Sequence, residues 1–145
     1  MRAPYQILAI PYRIHADCIQ FCVLHRADCD QWQFVAGGGE DAETPIEAAK
    51  REIFEEYGLP AALPTQLTSM CHIPADVISP QRRIGWPADT FVIPEYAFSF
   101  QADSDPTLSD EHDRFTWLSF AEALQLLQWD SNRTALYELK HRLQA

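Results

Sequence analysis

The sequence predicts an α/β fold in which a mixed β-sheet is covered by helices on both faces. Three observations carry that reading. Stretches rich in β-branched and aromatic residues recur along the chain, helical stretches are interleaved with them, and the best-marked helix lies mid-chain rather than at an end. With 145 residues, 47% of them apolar, one packed core is affordable, so residues 1–145 are expected to form one domain.

The elements follow in order. Tyr5 to Arg13 and Cys18 to His25 read as two strands joined by a turn at Ile14-His15-Ala16-Asp17, and Arg26 to Asp30 as a loop. Trp32 to Val35 reads as a short strand running into Gly37-Gly38-Gly39. That triplet is expected to turn, since glycine permits positive φ and lets the backbone approach a ligand closely. A helix over residues 45–57 comes next. Thr44 suits the N-cap, Pro45 the first helical position, Glu47 completes a capping box, and Gly58 supplies a left-handed C-terminal residue. Ile46, Ala49, Ile53 and Tyr57 recur at helical steps and should face the sheet, with Glu52, Glu55 and Glu56 on an adjoining arc.

Thr65 to Ile73 and Phe91 to Gln101 read as further strands. The proline-bearing loop between them, with Pro74, Pro80 and Pro87, is long enough to form a wall or lid. Arg114 to Leu118 reads as the last strand, followed by a second capping box at Ser119 and Glu122 and a helix to about residue 128. A final amphipathic helix is expected over 131–143, with Ala135, Leu136, Leu139 and Leu143 inward.

Composition narrows the function classes. The net charge of −10 comes without any long basic stripe, which argues against binding a long nucleic-acid backbone. A polyanionic small molecule would also be repelled, unless a cation intervenes. No apolar run is long enough for a membrane span, and the N-terminal residues lack the pattern of a secretory signal, so a cytoplasmic protein is expected. Cys18, Cys22, Cys29 and Cys71 form no Cys-x-x-Cys pair, which argues against a zinc cage or a disulfide framework.

The chemistry concentrates between Gly37 and Leu59. Five residues separate Gly37 from Glu43, and seven more lead to Arg51-Glu52-Ile53-Phe54-Glu55-Glu56-Tyr57-Gly58-Leu59. A chance match to such spacing at any one start is on the order of one in a hundred million. Carboxylates crowded on one helical face repel one another, and a hard divalent cation relieves the conflict. Oxygen ligands favour magnesium, with manganese as a substitute, and magnesium commonly bridges carboxylates to phosphates. Arg51 can also pair with Glu47 one turn away, a contact of a few tenths of a kcal/mol.

This spacing resembles the Nudix box. The resemblance implies a Nudix-type α/β/α sandwich with a loop-helix-loop catalytic box, and hydrolysis of a phosphoanhydride in a nucleoside diphosphate-linked or triphosphate substrate. It further implies that Glu52, Glu55 and Glu56 bind metal or activate water, that Gly37 contributes its carbonyl, and that Arg51 orients carboxylates by pairing near Glu43. Ala36 and Ala42 depart from the commonest box residues, proline and glycine, without removing a ligand. Outside the box, Ile93-Pro94-Glu95-Tyr96, Leu108 to His112 with Trp117, and Ser131 to Leu136 look like the branch containing dihydroneopterin triphosphate and dATP pyrophosphatases. On that likeness Glu111 is a further metal ligand or base, and the partner is a nucleotide or pterin polyphosphate. Arg26 is positioned in sequence to meet a phosphate, and Trp32 and Phe34 to line a ring pocket. His112, beside Glu111, could support it from behind, whereas His15, His25, His72 and His141 read as structural or surface residues.

Overall fold

In the computed structural model, which describes residues 1–144, seven strands form one mixed sheet. They are β1 (Arg2–His15), β2 (Cys18–Arg26), β3 (Trp32–Gln33), β4 (Val35–Glu40), β5 (Thr65–Pro74), β6 (Val92–Gln101) and β7 (His112–Leu118). β1 is the central strand: it pairs antiparallel with β2 and β4 and parallel with β6, while β5 extends the sheet beyond β6 and β7 joins β2. The helices are α1 (Pro45–Tyr57), α2 (Phe120–Leu126) and α3 (Asp130–Gln144).

Strand alternation divides the core into two layers. Ile7 and Ala9 pack in a cluster with Ala48, Ala49, Ile53 and Tyr57 of α1, whereas Leu8 and Ile10 pack with Ala123, Ala135, Leu136 and Leu139 of α2 and α3. Successive β-residues point to opposite faces, so an apolar run in β1 can bury itself on both sides only if helices cover both. The expected sandwich is present.

Both capping boxes form. Thr44 accepts from the Glu47 amide and Ser119 from the Glu122 amide, each Glu reaching back to its cap, and Gly58 ends α1 at φ 82°. The inward face of α1 differs from the expected one. Ile46 is 40% exposed and Ala48 is buried in its place, because the buried arc runs through 48, 49, 52, 53, 56 and 57. Glu52 and Glu56 therefore belong to the buried arc itself, while Glu55 lies on the exposed side.

The glycine triplet is not a turn. Gly37, Gly38 and Gly39 are extended within β4, and the positive φ occurs at Asp41. Their lack of side chains serves close packing instead. A Cβ on Gly37 would overlap the Glu52 carboxyl, one on Gly38 the Arg2 guanidinium, and one on Gly39 the Tyr5 ring.

The 74–88 loop carries two short 3-10 turns, Ala75–Val77 and Pro80–Arg83, and is fastened by Trp86 Nε1 donating to the Arg2 carbonyl at 2.7 Å. Among the described residues no helix is long and apolar enough to cross a membrane.

The capping of α1 sets where its carboxylates stand, and its contribution is measurable. Thr44→Ala should lower stability by about 1 kcal/mol in urea unfolding. The thermal midpoint should fall by about 2–4 °C.

Candidate active site

Arg51 organises the box. Its Nε and Nη2 donate to the two oxygens of Glu43 at 2.8 and 3.0 Å, and Nη2 also donates to the Gly38 carbonyl at 2.7 Å. Nη1 donates to Glu52 Oε1 at 2.9 Å and to Glu55 Oε2 at 3.2 Å. One guanidinium thus ties the loop before α1, strand β4 and two helix carboxylates together, and a planar five-donor group suits that task better than an ammonium. The pairing also holds the Glu43 carboxyl below its usual range.

Glu52 and Glu56 are more constrained. Glu52 packs on Gly37 and is 9% exposed, and Glu56 is 1% exposed with neither carboxylate oxygen hydrogen-bonded. Burial pushes the Glu56 carboxyl well above the ordinary range, and the neighbouring Glu52 and then Glu111 push it further. Burial likewise raises Glu52, against the pull of Arg51. His112, fully buried, stands with Nδ1 3.7 Å from Glu56 Oε1. Burial holds its pKa down at about 4, so at neutral pH it brings no positive charge to the pair.

A buried Glu56 with both oxygens unmet, beside a buried Glu52 whose one cationic partner is Arg51, fits a divalent cation. Oxygen donors are the hard ligands such ions take. Among the described residues no closed cluster of three His, Cys, Asp or Glu side chains is preformed. Mutual repulsion accounts for this: Glu55, about half exposed at its side chain, turns to Arg51 instead of toward Glu56.

A cavity of about 790 Å³ opens beside the pair, bordered by Gly37, Gly38 and Glu52. Glu111 lines it from an exposed loop, and the Glu111 carbonyl accepts from the Ala27 amide at 2.9 Å, joining that loop to the one after β2. Arg26 lines it too, with its guanidinium held by both oxygens of Asp28 at 2.9 and 2.6 Å. Phe34 reaches the cavity from the core.

Trp32 is a correction to the sequence reading. It does not border the cavity, because β3 pairs with the end of β2 and the indole packs edge-on against His25 and toward Leu127. His25 is structural, one of the two roles expected of it: its ring bonds Asp30 and Asp113 at 2.9 and 2.8 Å and so ties the loop after β2 to the start of β7.

Two lining residues carried no sequence signal for a role. Arg2 is 7% exposed, and its Nε and Nη1 have no partner while Nη2 donates to Gln6 at 2.6 Å. Burial, then the nearby Arg82, lowers the Arg2 pKa to about 10. Glu95 is 8% exposed. Arg2 is placed by β1 pairing antiparallel with β4, and Glu95, whose segment carried a family likeness but no role, by β1 pairing parallel with β6 from Gln6 to Glu95.

A family model for the NUDIX domain matches residues 11–139, a span that contains this whole carboxylate site. The chain belongs to the Nudix family. Several relatives agree. An RNA pyrophosphohydrolase of Halorhodospira halophila is 34% identical over 83% of the chain and 72% of its own length. An 8-oxo-(d)GTP phosphatase of Mycolicibacterium smegmatis is 31% identical over 84% of the chain, which spans only 34% of that relative's length. A crystal structure from Listeria monocytogenes strain 4b F2365, assigned as a NUDIX hydrolase, superimposes with a TM-score of 0.86 at 45% identity, covering 98% of this chain and 95% of the other. The Escherichia coli dihydroneopterin triphosphate pyrophosphohydrolase superimposes with a TM-score of 0.74 at 25% identity, covering 93% of each chain. This chain is thus a Nudix hydrolase, an enzyme of the pyrophosphohydrolase type, in a family that generally uses divalent metal.

The raised pKa values have a thermodynamic consequence for the cation-free enzyme. The folded state retains protons that the unfolded chain releases above about pH 4.5, so stability falls as pH rises from there through the raised folded values. Glu56→Gln should therefore raise the thermal midpoint in chelator at about pH 8 and flatten its pH dependence. Added magnesium or manganese should raise the midpoint of the unsubstituted enzyme and leave that of the variant in place.

Proposed function

We propose that this Nudix hydrolase carries out magnesium-dependent hydrolysis of a nucleoside or pterin triphosphate, giving the monophosphate and pyrophosphate. One observation carries the reading: a complete box in which Glu56 is buried beside Glu52 with both of its own oxygens left unmet. A carboxylate set kept only for folding would be paired or solvated.

In this reading Glu52, Glu55, Glu56 and the Gly37 carbonyl hold the cation, with Glu111 joining from its loop. When bound, the cation neutralises phosphate charge and acidifies water. Arg51, anchored by Glu43, keeps Glu52 aimed at the cavity. Glu52 or Glu111 takes the proton of the attacking water. That water adds to one phosphorus as the bridging oxygen departs with the pyrophosphate. The unpartnered nitrogens of Arg2, with Arg82 and Arg26 nearby on the cavity wall, are placed to bind phosphate oxygens. These arginines offset an overall charge of −10 where the substrate must enter.

The test is a panel of nucleotide and pterin triphosphates, a dinucleoside polyphosphate, a nucleotide sugar and 5′-triphosphorylated RNA, with magnesium and with products resolved. Monophosphate and pyrophosphate should appear from a small triphosphate, and Glu55→Gln and Glu56→Gln should each lose at least about 100-fold in kcat. No turnover, or rates in both variants equal to the unsubstituted enzyme, would refute the proposal. Magnesium-independent binding without products would identify a sensing module instead.

A further inference from the structure

The cavity wall is mixed: arginines stand with the carboxylates Glu52, Asp28, Asp110 and Glu111, and a further buried carboxyl lies apart from the box. The arginines are Arg2, Arg26 and Arg82. The buried carboxyl is Glu95. Pairing places it in a row across four adjacent strands. Gly38 of β4 pairs with Gln6 of β1, Gln6 with Glu95 of β6, and Glu95 with Cys71 of β5, and all four line the cavity. At ordinary strand spacing, Glu95 lies about 10 Å from β4. That matches the reach from an α-phosphate across a ribose to a ring.

What surrounds Glu95 restricts what it can bind. The Cys71 thiol donates to Oε1 at 3.7 Å, a long and weak contact. Burial raises the Glu95 pKa above the usual carboxylate range, against the pull of the Ser131 hydroxyl and the Cys71 thiol, and no cation is among the charges acting on the group. Both neighbours are donors, so the carboxyl is arranged to accept. A buried acceptor left with weak partners is costly, and a ligand that brings good donors recovers that cost. A second phosphate is excluded there by like charge.

We propose that Glu95 is the specificity-determining residue of this hydrolase and reads the 2-amino-4-oxo edge of a guanine or pterin ring. That edge presents a ring N–H beside an exocyclic amino group, two donors side by side, which one carboxylate accepts in parallel. Hypoxanthine lacks the amino group. Adenine offers an acceptor where the ring N–H would stand. The inference rests on the triphosphate reading above and adds its ring class. Trp129 and Phe34, which also line the cavity, supply apolar surface for the ring faces.

The experiment compares GTP with ITP, and 7,8-dihydroneopterin triphosphate with ATP, in the unsubstituted enzyme, Glu95→Gln and Glu95→Ala. In parallel, calorimetry without divalent cation measures GMP against IMP, so that ring recognition is read apart from turnover. The unsubstituted enzyme should favour the ring with the 2-amino-4-oxo edge by roughly ten- to hundredfold in kcat/KM. The GMP preference over IMP should be similar. In both variants the preference should collapse to within about threefold, with the larger loss on the ring that carries the amino group. Preference for GTP supports a guanine source, and preference for the pterin substrate supports a pterin source of the same edge. GMP discrimination that depends on Glu95 in an enzyme with no turnover would sustain this assignment while defeating the hydrolytic one. Equal use of GTP, ITP and ATP, or a preference unchanged by both substitutions, would overturn it.

Discussion

The packing of Glu52 and Glu56 between α1 and the side-chain-free strand β4 is the constraint on which the rest of the site depends. Two carboxylates this close and this dry are unfavourable to fold around, and three features hold them there. The capped start and glycine end of α1 fix its register. Gly37 leaves room for Glu52 where any larger residue would collide, and Arg51 fastens the helix to β4 and to Glu43. A side chain at position 37 would displace Glu52, and loss of Arg51 would release it from β4. The cost belongs to the site's design: stability is given up locally so that oxygen donors are in place before a cation arrives.

The same logic extends along the cavity. Arginines and carboxylates line it together near the box, and the buried Glu95 sits two strands from β4. A ligand with an anionic tail and a donor-bearing ring would complement the arginines and Glu95. Loops only close the walls. The 26–31 and 109–113 loops are joined by His25 between Asp30 and Asp113 and by the Ala27–Glu111 backbone bond. Glu111 therefore rides on a tethered segment, even though its side chain is exposed.

Much of this was legible in sequence because it is local. Thr44-Pro45-x-Glu47 and Gly58 specify a helix with both ends marked, and spacing within it places the carboxylates to within one turn. The interleaving of strands with helical stretches foretold covering helices. What escaped was anything set by pairing between distant segments. Glycines read as a turn proved to be a strand, because a missing side chain serves close packing as readily as positive φ, and only the neighbours Glu52 and Arg2 distinguish the two. Trp32 looked like a ring platform, but its strand pairs against His25. Ile46 was assigned inward by periodicity although α1 presents Ala48 to the sheet, a choice fixed by how the helix lies on β4. Arg2 and Glu95 reach the cavity through strand register alone.

The most direct measurement is an anomalous difference map from crystals equilibrated with manganese. A manganese peak within ligand distance of the Glu52 and Glu56 carboxylates, with Glu55 rotated away from Arg51 to join it, is the expected result. Manganese found only on exposed acids, with Glu56 still enclosed and unliganded, would contradict the assignment of the buried pair as the metal centre.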